Sequence, residues 1–208
     1  MKPDSIIFDI DGTLWNSTPL VAESWNEVVS RRDDVPVRFT AHRITQLFGR
    51  PLPVIADIVF PFLEEEDRHA LIDVCCDREH ELIRACTQDI TYPGVAETIK
   101  TLSGEYPLFI VSNCQAGYIE LFLEKTGLAP YITDFTCPGD TGLHKGPNIR
   151  LITQRNQLKN PVYVGDIEGD QLASKEAGVL FCHAAYGFGQ VEKPDYVIHQ
   201  FQDLLTVF

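Results

Sequence analysis

Two aspartates near the start of the chain, Asp9 and Asp11, are separated by one residue and directly follow an apolar run. Residues 6–8 (IIF) are typical of a strand buried on both faces, and the Gly-Thr pair after Asp11 predicts a turn. In an open α/β sheet, ligands bind outside the carboxyl ends of parallel strands. Two carboxylates this close repel each other, so in a binding site they need a cation or a shared proton. The alternative interpretation is that Asp9 and Asp11 are ordinary turn residues. A divalent metal is the simplest way to balance these two charges. Residues farther along the chain must decide between a metal site and a plain turn.

Further polar and charged side chains suited to binding an anion or a metal occur later in the chain. Ser112 and Asn113 end an apolar run, where they can either donate to an oxyanion or cap a helix. Lys145 lies at a predicted helix start, where a cation is unfavourable unless an anion binds too, although most lysines are simply solvated. Asp166 and Asp170 are four residues apart, on one side of a turn that enters a helix. With the two N-terminal aspartates, these groups make four carboxylates, one lysine and one hydroxyl.

Strand and helix patterns alternate from residue 90 onward, which predicts parallel strands joined by crossover helices. The predicted strands are 107–112, 132–137, 161–166 and 179–184. The predicted helices are 95–103, 116–125, 147–157 and 169–177. The third of these helices is expected to begin at Pro147. The fold class is therefore α/β, a doubly wound parallel sheet with the polar groups at its strand ends.

The segment 18–88 has helical spacing of its apolar residues and no good strand pattern. The first strand has no candidate neighbour in a sheet before residue 107, so we predict an α/β core made of 1–16 and 90–208. Residues 17–89 are predicted to form an inserted, all-helical domain. Its two connections to the core form a hinge pair beside the first carboxylates.

The chain carries 17 basic and 30 acidic residues, a formal net charge of −13. This balance disfavours nucleic acid and anionic membranes as partners, so an anionic substrate needs local cations. No apolar stretch approaches the ~20 residues that span a bilayer, and the N-terminus has no leader pattern. The six cysteines form no C-x-x-C motif and lie largely in apolar segments, which favours buried free thiols. We therefore expect a cytoplasmic protein.

The segments FDIDGTL, VSN and VGDIEGD, with Lys145 before the last of them, form a recognisable series. In order and spacing they are similar to the four motifs of haloacid dehalogenase-like (HAD) superfamily hydrolases. The match extends from Asp9 to Asp170 and is specific because four separate segments agree. The helical insertion after the first motif resembles the cap of the phosphoglycolate phosphatase and β-phosphoglucomutase branch. The resemblance implies a HAD-like Rossmannoid core with a helical cap.

The resemblance also implies a role for each motif residue. Asp9 is expected to be the nucleophile that forms an aspartyl-phosphate, and Asp11 the general acid and base. The groups expected to hold the substrate phosphate are Ser112, Asn113 and Lys145. The groups expected to bind the metal are Asp9, the main-chain carbonyl of Asp11, Asp166 and, directly or through water, Asp170. Oxygen ligands of this kind suit Mg²⁺, which is the expected cofactor.

Three further residues are candidates for setting substrate specificity. Asn16 stands where many relatives have an acidic residue, and Trp15 is bulky for a position that faces the site. Arg50, in the segment Gly49-Arg50-Pro51, resembles a cap loop residue that reaches the substrate. An arginine on such a loop is, however, more often simply solvated.

The expected function is Mg²⁺-dependent hydrolysis of a small phosphorylated metabolite, phosphoglycolate-like or sugar-phosphate-like, by a monomer or weak homodimer. A phosphosugar mutase of the β-phosphoglucomutase type would use the same core. Such mutases have a histidine soon after the first motif, whereas the first histidine here is His42. A true haloacid dehalogenase lacks the second aspartate, so Asp11 argues against it. A non-catalytic binding module would leave the polar groups without an evident purpose.

Overall fold

The computed structural model describes residues 2–208, which divide into two compact units. One unit combines Met1–Asn16 with Ile90–Phe208, and the other is Ser17–Asp89. The strands are β1 (Ser5–Phe8), β2 (Leu108–Val111), β3 (Asp134–Thr136), β4 (Pro161–Gly165), β5 (Leu180–Ala184) and β6 (Tyr196–Ile198). The helices are α1 (Thr18–Val29), α2 (Ala41–Thr45), α3 (Leu52–Val59), α4 (Glu65–Ala85), α5 (Val95–Leu102), α6 (Tyr118–Thr126), α7 (Pro138–Thr141), α8 (Lys145–Arg155), α9 (Glu168–Ala177) and α10 (Leu204–Val207). None of the helices within residues 2–208 combines the length and hydropathy that a bilayer-spanning segment needs.

The six strands form one parallel sheet in the order β3-β2-β1-β4-β5-β6. β1 lies in the interior, with Phe8 paired to Ile110 of β2 on one side and to Val164 of β4 on the other. The chain builds one half of the sheet through β2 and β3, and then fills the other half from β4 onward. The direction in which the chain adds strands reverses at β1, and folds of this kind bind ligands outside the carboxyl end of the sheet at such a reversal. The predicted doubly wound α/β fold is confirmed.

The central strands are buried on both faces of the sheet. β1, β2 and β4 have the sequences SIIF, LFIV and PVYVG, and all of their residues are buried. Such apolar runs are typical of parallel strands covered by helices on each side. Ile7, Phe109 and Tyr163, from these three strands, share one core cluster with Ile149 and Ile152 of α8. The sheet thereby holds in place the groups that follow its strands.

Some boundaries differ from the predicted ones. α8 begins at Lys145 rather than Pro147, because His144 has the extended backbone of an N-cap residue. Pro147 still falls within the first turn, where a missing N–H leaves no helical bond unmade. α6 begins at Tyr118, after Gly117 in the left-handed conformation. The short elements β6, α7 and α10 escape prediction because three or four residues carry too little periodicity.

The unit Ser17–Asp89 contains α1 to α4 and has its own apolar core. α1 turns Val21, Trp25 and Val28 towards this core, at the spacing of one helix face. The indole N–H of Trp25 donates to the buried carboxylate of Glu79 on α4 at 3.1 Å. The helices of this unit therefore pack around an apolar interior of their own.

All six cysteines are free thiols, and five of them are buried. Burial raises the pKa of the Cys75 and Cys182 thiols to about 12. Burial also raises the pKa of Cys76 and Cys114 well above the ordinary value. These four cysteines therefore act as small apolar side chains rather than as nucleophiles.

Candidate active site

Five polar side chains converge at the carboxyl end of β1. Asp9 follows β1, Ser112 follows β2 and Asp166 follows β4, while Lys145 begins α8 and Asp170 lies in the first turn of α9. All five are buried, with exposed fractions between 0% and 4%. A fold exposes most of its charged groups to water, so a buried set of this kind needs internal partners. The structure thus brings together five of the residues selected from the sequence.

Lys145 is the cation at the centre of this group. Its Nζ lies 2.8 Å from Asp9 Oδ1 and 2.6 Å from Asp170 Oδ1. Burial by itself would lower the pKa of Lys145, but the carboxylates of Asp170 and Asp9 outweigh it and raise the pKa above its ordinary value. Lys145 is therefore charged. An ammonium has three N–H donors, so two bonds to carboxylates leave one donor for a further oxygen.

Asp9, Asp166 and Asp170 each place one carboxylate oxygen within 4.8 Å of the others. Burial raises the pKa of Asp166 well above its ordinary value, and the carboxylates of Asp170 and Asp9 raise it further. Burial also raises the pKa of Asp9, against the opposing effects of Lys145 and Ser112. One lysine does not neutralise three carboxylates. The excess negative charge and the oxygen-only ligands fit a hard divalent cation such as Mg²⁺.

Asp170 uses both of its carboxylate oxygens within the protein. Oδ1 accepts from Lys145 Nζ, and Oδ2 accepts from the backbone N–H groups of Asp166 at 3.0 Å and Ile167 at 3.3 Å. These backbone donors lie at the start of α9, where a carboxylate is favourable. Asp170 therefore connects Lys145 to the loop that carries Asp166.

The segment that follows β5 contacts the side chain of Asp166. The backbone N–H of Phe188 donates to Asp166 Oδ2 at 2.7 Å. Two glycines leave room for this approach: a Cβ on Gly12 would lie 2.1 Å from Asp166 Oδ2, and one on Gly187 would lie 2.3 Å from Asp166 Cβ. Gly12 also has a φ of +84°, which favours glycine. These contacts are absent from the sequence prediction, although the Gly187-Phe188-Gly189 run, which begins three residues after a predicted strand, is a signal that could have indicated them.

Ser112 and Asn113 follow β2 but do not cap the next helix. The Ser112 hydroxyl hydrogen-bonds to Asp9, which favours the ionised carboxylate. Asn113 is next to it and half-buried. α6 begins at Tyr118 with Gly117 as its N-cap. The helix-capping interpretation of the Ser-Asn pair is therefore wrong.

Asp11 is half-buried on the turn after β1 and is not one of the three clustered carboxylates. Its Oδ1 accepts two hydrogen bonds of 2.9 Å, one from Trp15 Nε1 and one from Tyr118 OH. Trp15, expected to face the site, is fully buried and turns its indole N–H to Asp11. Tyr118 is missed by sequence reasoning because it lies 107 residues away along the chain and no local pattern indicates the contact.

Two residues considered for specificity are not members of the buried group of five side chains. Arg50 belongs to the unit Ser17–Asp89 and is exposed on the segment before α3. Asn16 ends the first segment of the other unit, and its backbone N–H donates to Ile90 O at 2.9 Å. Contact of either residue with a substrate stays a prediction.

The structure is a doubly wound α/β fold that gathers three buried aspartates and a buried lysine at the carboxyl end of its central strand. The family model described as "Haloacid dehalogenase-like hydrolase" matches residues 6–184 of the chain. The chain therefore belongs to the haloacid dehalogenase-like hydrolase family. Within it the protein is a phosphoric monoester hydrolase.

Two phosphatases and one solved structure are similar to nearly the whole chain. A phosphoglycolate phosphatase from Agrobacterium fabrum is 30% identical over 210 residues, which cover 95% of this chain and 89% of the relative. A phosphoglycolate phosphatase from Photobacterium profundum is 30% identical over 224 residues, which cover 97% and 94%. The crystal structure of a "predicted phosphoglycolate phosphatase" from Haemophilus somnus is similar with a TM-score of 0.85 and 23% identity, covering 100% of this chain and 98% of that one. The last likeness shows the shared fold.

Proposed function

We propose that this protein is a Mg²⁺-dependent phosphatase that hydrolyses a small phosphate monoester through an aspartyl-phosphate at Asp9. The observation that carries the proposal is the buried group in which Lys145 bridges Asp9 and Asp170 beside Asp166. Phosphoryl transfer depends mostly on positioning and on compensation of charge. A carboxylate nucleophile next to a fixed ammonium and metal-binding oxygens meets both needs.

Asp9, Asp166 and the main-chain carbonyl of Asp11 are the groups that we assign to direct binding of Mg²⁺. Asp170 is assigned to a place behind them, in contact through water, because its two oxygens already accept three hydrogen bonds. When bound, Mg²⁺ would offset the carboxylate charge and stabilise negative charge on the transferring phosphoryl group. The raised pKa of buried Asp166 supports this assignment, since a nearby cation favours its ionised form.

Asp9 is assigned as the nucleophile because it is buried, bonded to the ammonium of Lys145 and held in one orientation. The bond from Lys145 Nζ to Oδ1 restricts rotation of the carboxylate. The third N–H of Lys145 and the Ser112 hydroxyl are the donors for the phosphoryl oxygens, with Asn113 as a further candidate. As the bond from Asp9 to phosphorus forms, the bond from phosphorus to the leaving oxygen breaks.

Asp11 is assigned to both proton transfers. Its protonated carboxyl group gives a proton to the leaving oxygen in the first step and becomes a carboxylate. That carboxylate then takes a proton from the water molecule that attacks the aspartyl-phosphate. The second step releases inorganic phosphate and regenerates Asp9 as a carboxylate and Asp11 as the acid.

The names of the relatives make 2-phosphoglycolate the first ester to test. We assign Ser17–Asp89 as a cap domain whose residues, Arg50 among them, select the ester. With a net charge of −13, attraction of an anionic substrate rests on local cations. We place the enzyme in the cytoplasm, where free thiols stay reduced.

The test is a phosphate-release screen over glycolate, sugar and nucleotide monophosphates, run once with Mg²⁺ and once with EDTA. We expect turnover of small esters with Mg²⁺ only, and background release by Asp9→Asn, which keeps the shape of the side chain but removes its charge. Asp33→Asn, a change at an exposed aspartate, is the matched control and should retain activity. Undiminished release by Asp9→Asn would contradict the proposal.

A further inference from the structure

We propose that Tyr118 and Trp15 are positioning residues that fix the carboxyl group of Asp11 for proton transfer to the leaving oxygen. This role rests on the proposed function, in which Asp11 is the general acid and base. Both donors end on the same oxygen: Trp15 Nε1 and Tyr118 OH each lie 2.9 Å from Asp11 Oδ1. Neither of these two bonds uses Oδ2.

Packing holds both donors in place. Trp15 is 0% exposed and Tyr118 is 1% exposed. Their rings meet edge to face, with centroids 5.6 Å apart and an interplanar angle of 78°. Trp15 also meets Phe122, one turn farther along α6, edge to face at 5.0 Å. In a close-packed interior, rings of this size cannot turn without displacing neighbours. The indole N–H of Trp15 and the hydroxyl of Tyr118 are therefore held in fixed directions.

Both bonds can persist when Asp11 gains or loses a proton. The indole N–H of Trp15 is a donor only and needs a lone pair of Oδ1, whereas the hydroxyl of Tyr118 can both donate and accept. The carboxyl group of Asp11 therefore keeps its orientation through both proton transfers.

A purely structural role for the two rings has a different consequence. If the bonds only satisfied buried polar groups, removing one would lower stability and would slow every ester alike. If the two bonds orient Asp11 for proton transfer, removing one bond slows the hydrolysis of alcohol esters far more than that of acidic phenol esters. The reason is that only a poor leaving group needs a proton from the general acid. The dependence of the rate on the leaving group therefore distinguishes the two roles.

The experiment compares kcat/KM for 2-phosphoglycolate, or the best alkyl ester of the screen, with that for p-nitrophenyl phosphate, using the full chain with Mg²⁺. This ratio reports the steps up to release of the leaving group, so it isolates the acid step. We expect Tyr118→Phe to slow the alkyl ester about 10-fold and the phenyl ester less than about 3-fold. Asp11→Asn should show the same selectivity more strongly. Tyr106→Phe, which removes a hydroxyl bonded to Phe208 O, is the matched control and should leave both rates unchanged.

Each outcome decides between the hypotheses. Equal slowing of both esters by Tyr118→Phe, no slowing or a faster rate would overturn the positioning role, while selective slowing by Asp11→Asn would leave the proposed function intact. No phosphate release by the wild type from any ester would instead remove the proposed function itself. If Tyr118→Phe fails to fold by circular dichroism, Trp15→Phe removes the other donor and undergoes the same comparison.

The hydrogen bond to Trp15 can also be tested without activity. The chain has two tryptophans, so a heteronuclear NMR spectrum contains two indole N–H signals. Asp11→Asn should move the Trp15 signal and leave that of Trp25, which donates to Glu79. An unmoved Trp15 signal would overturn the proposal.

Discussion

Lys145→Met tests the charge balance at the carboxyl end of β1. The substitution keeps an unbranched side chain and removes the ammonium that lies 2.8 Å from Asp9 and 2.6 Å from Asp170. All three side chains are buried, so the loss leaves carboxylates without their cation. Removing one partner of a buried ion pair costs about 3–5 kcal/mol. Since 1 kcal/mol corresponds to about 2–4 °C in a chain of this size, we expect Tm in EDTA to fall by about 6–20 °C.

The fall in Tm should grow with pH. Burial raises the pKa of Asp9 and of Asp166, and the charge of Lys145 opposes both shifts. Without the ammonium, both carboxyl groups therefore have still higher folded-state pKa values. A group whose pKa is higher in the folded than in the unfolded chain contributes stability at low pH and loses it as pH rises through the folded value. The difference between Lys145→Met and wild type should thus be larger at about pH 8 than at about pH 5.

Calorimetry in EDTA measures this difference directly. Lys100→Met, on the exposed face of α5, is the matched control and should change stability by no more than about 0.5 kcal/mol. Adding Mg²⁺ should raise the Tm of Lys145→Met more than that of wild type, because a metal cation replaces part of the lost charge. An unchanged Tm for Lys145→Met in EDTA at neutral pH would refute the reasoning.

Three further predictions concern the carboxylates and the loop above them. Asp166→Asn removes a buried carboxyl group whose raised pKa makes its ionised form unfavourable without metal, so the metal-free protein should melt higher at neutral pH while the Mg²⁺-induced rise in Tm disappears; a preserved Mg²⁺ effect would count against Asp166 as a ligand. Gly187→Ala places a Cβ 2.3 Å from Asp166 Cβ and should cost about 1–3 kcal/mol by calorimetry, whereas Gly104→Ala, with its nearest atom at 3.4 Å, should be tolerated. Ca²⁺ should support phosphate release poorly, because its longer and looser coordination misplaces Asp9 for attack; full activity in Ca²⁺ alone would contradict the assigned site.

The convergence of the strand-end residues could be predicted because topology dictates it. Asp9, Ser112 and Asp166 each follow a strand, and parallel strands bring their carboxyl ends to one edge of the sheet. Lys145 and Asp170 lie at helix starts, which the same alternation of strands and helices places at that edge. Local pattern and connection rules are therefore enough to assemble the group.

The contacts that orient these groups could not be predicted in the same way. The bond from Tyr118 to Asp11 joins residues 107 positions apart, and it depends on how two buried rings pack. The bond from the Phe188 backbone to Asp166 depends on the path of a loop after β5. Hydrophobic periodicity reports which face of an element is buried, but it does not encode rotamers or loop paths. Sequence reasoning therefore identified the residues of the buried group and missed the contacts that orient them.

The covalent step at Asp9 is tested most directly by trapping the phosphorylated enzyme. Wild-type protein is mixed with Mg²⁺ and its best ester, quenched during turnover and treated with sodium borohydride, which reduces an acyl phosphate to an alcohol. Peptide mass spectrometry should then find homoserine in place of Asp9, and only in samples that received both the ester and Mg²⁺. Steady phosphate release with Asp9 unmodified in every quenched sample would contradict the aspartyl-phosphate mechanism.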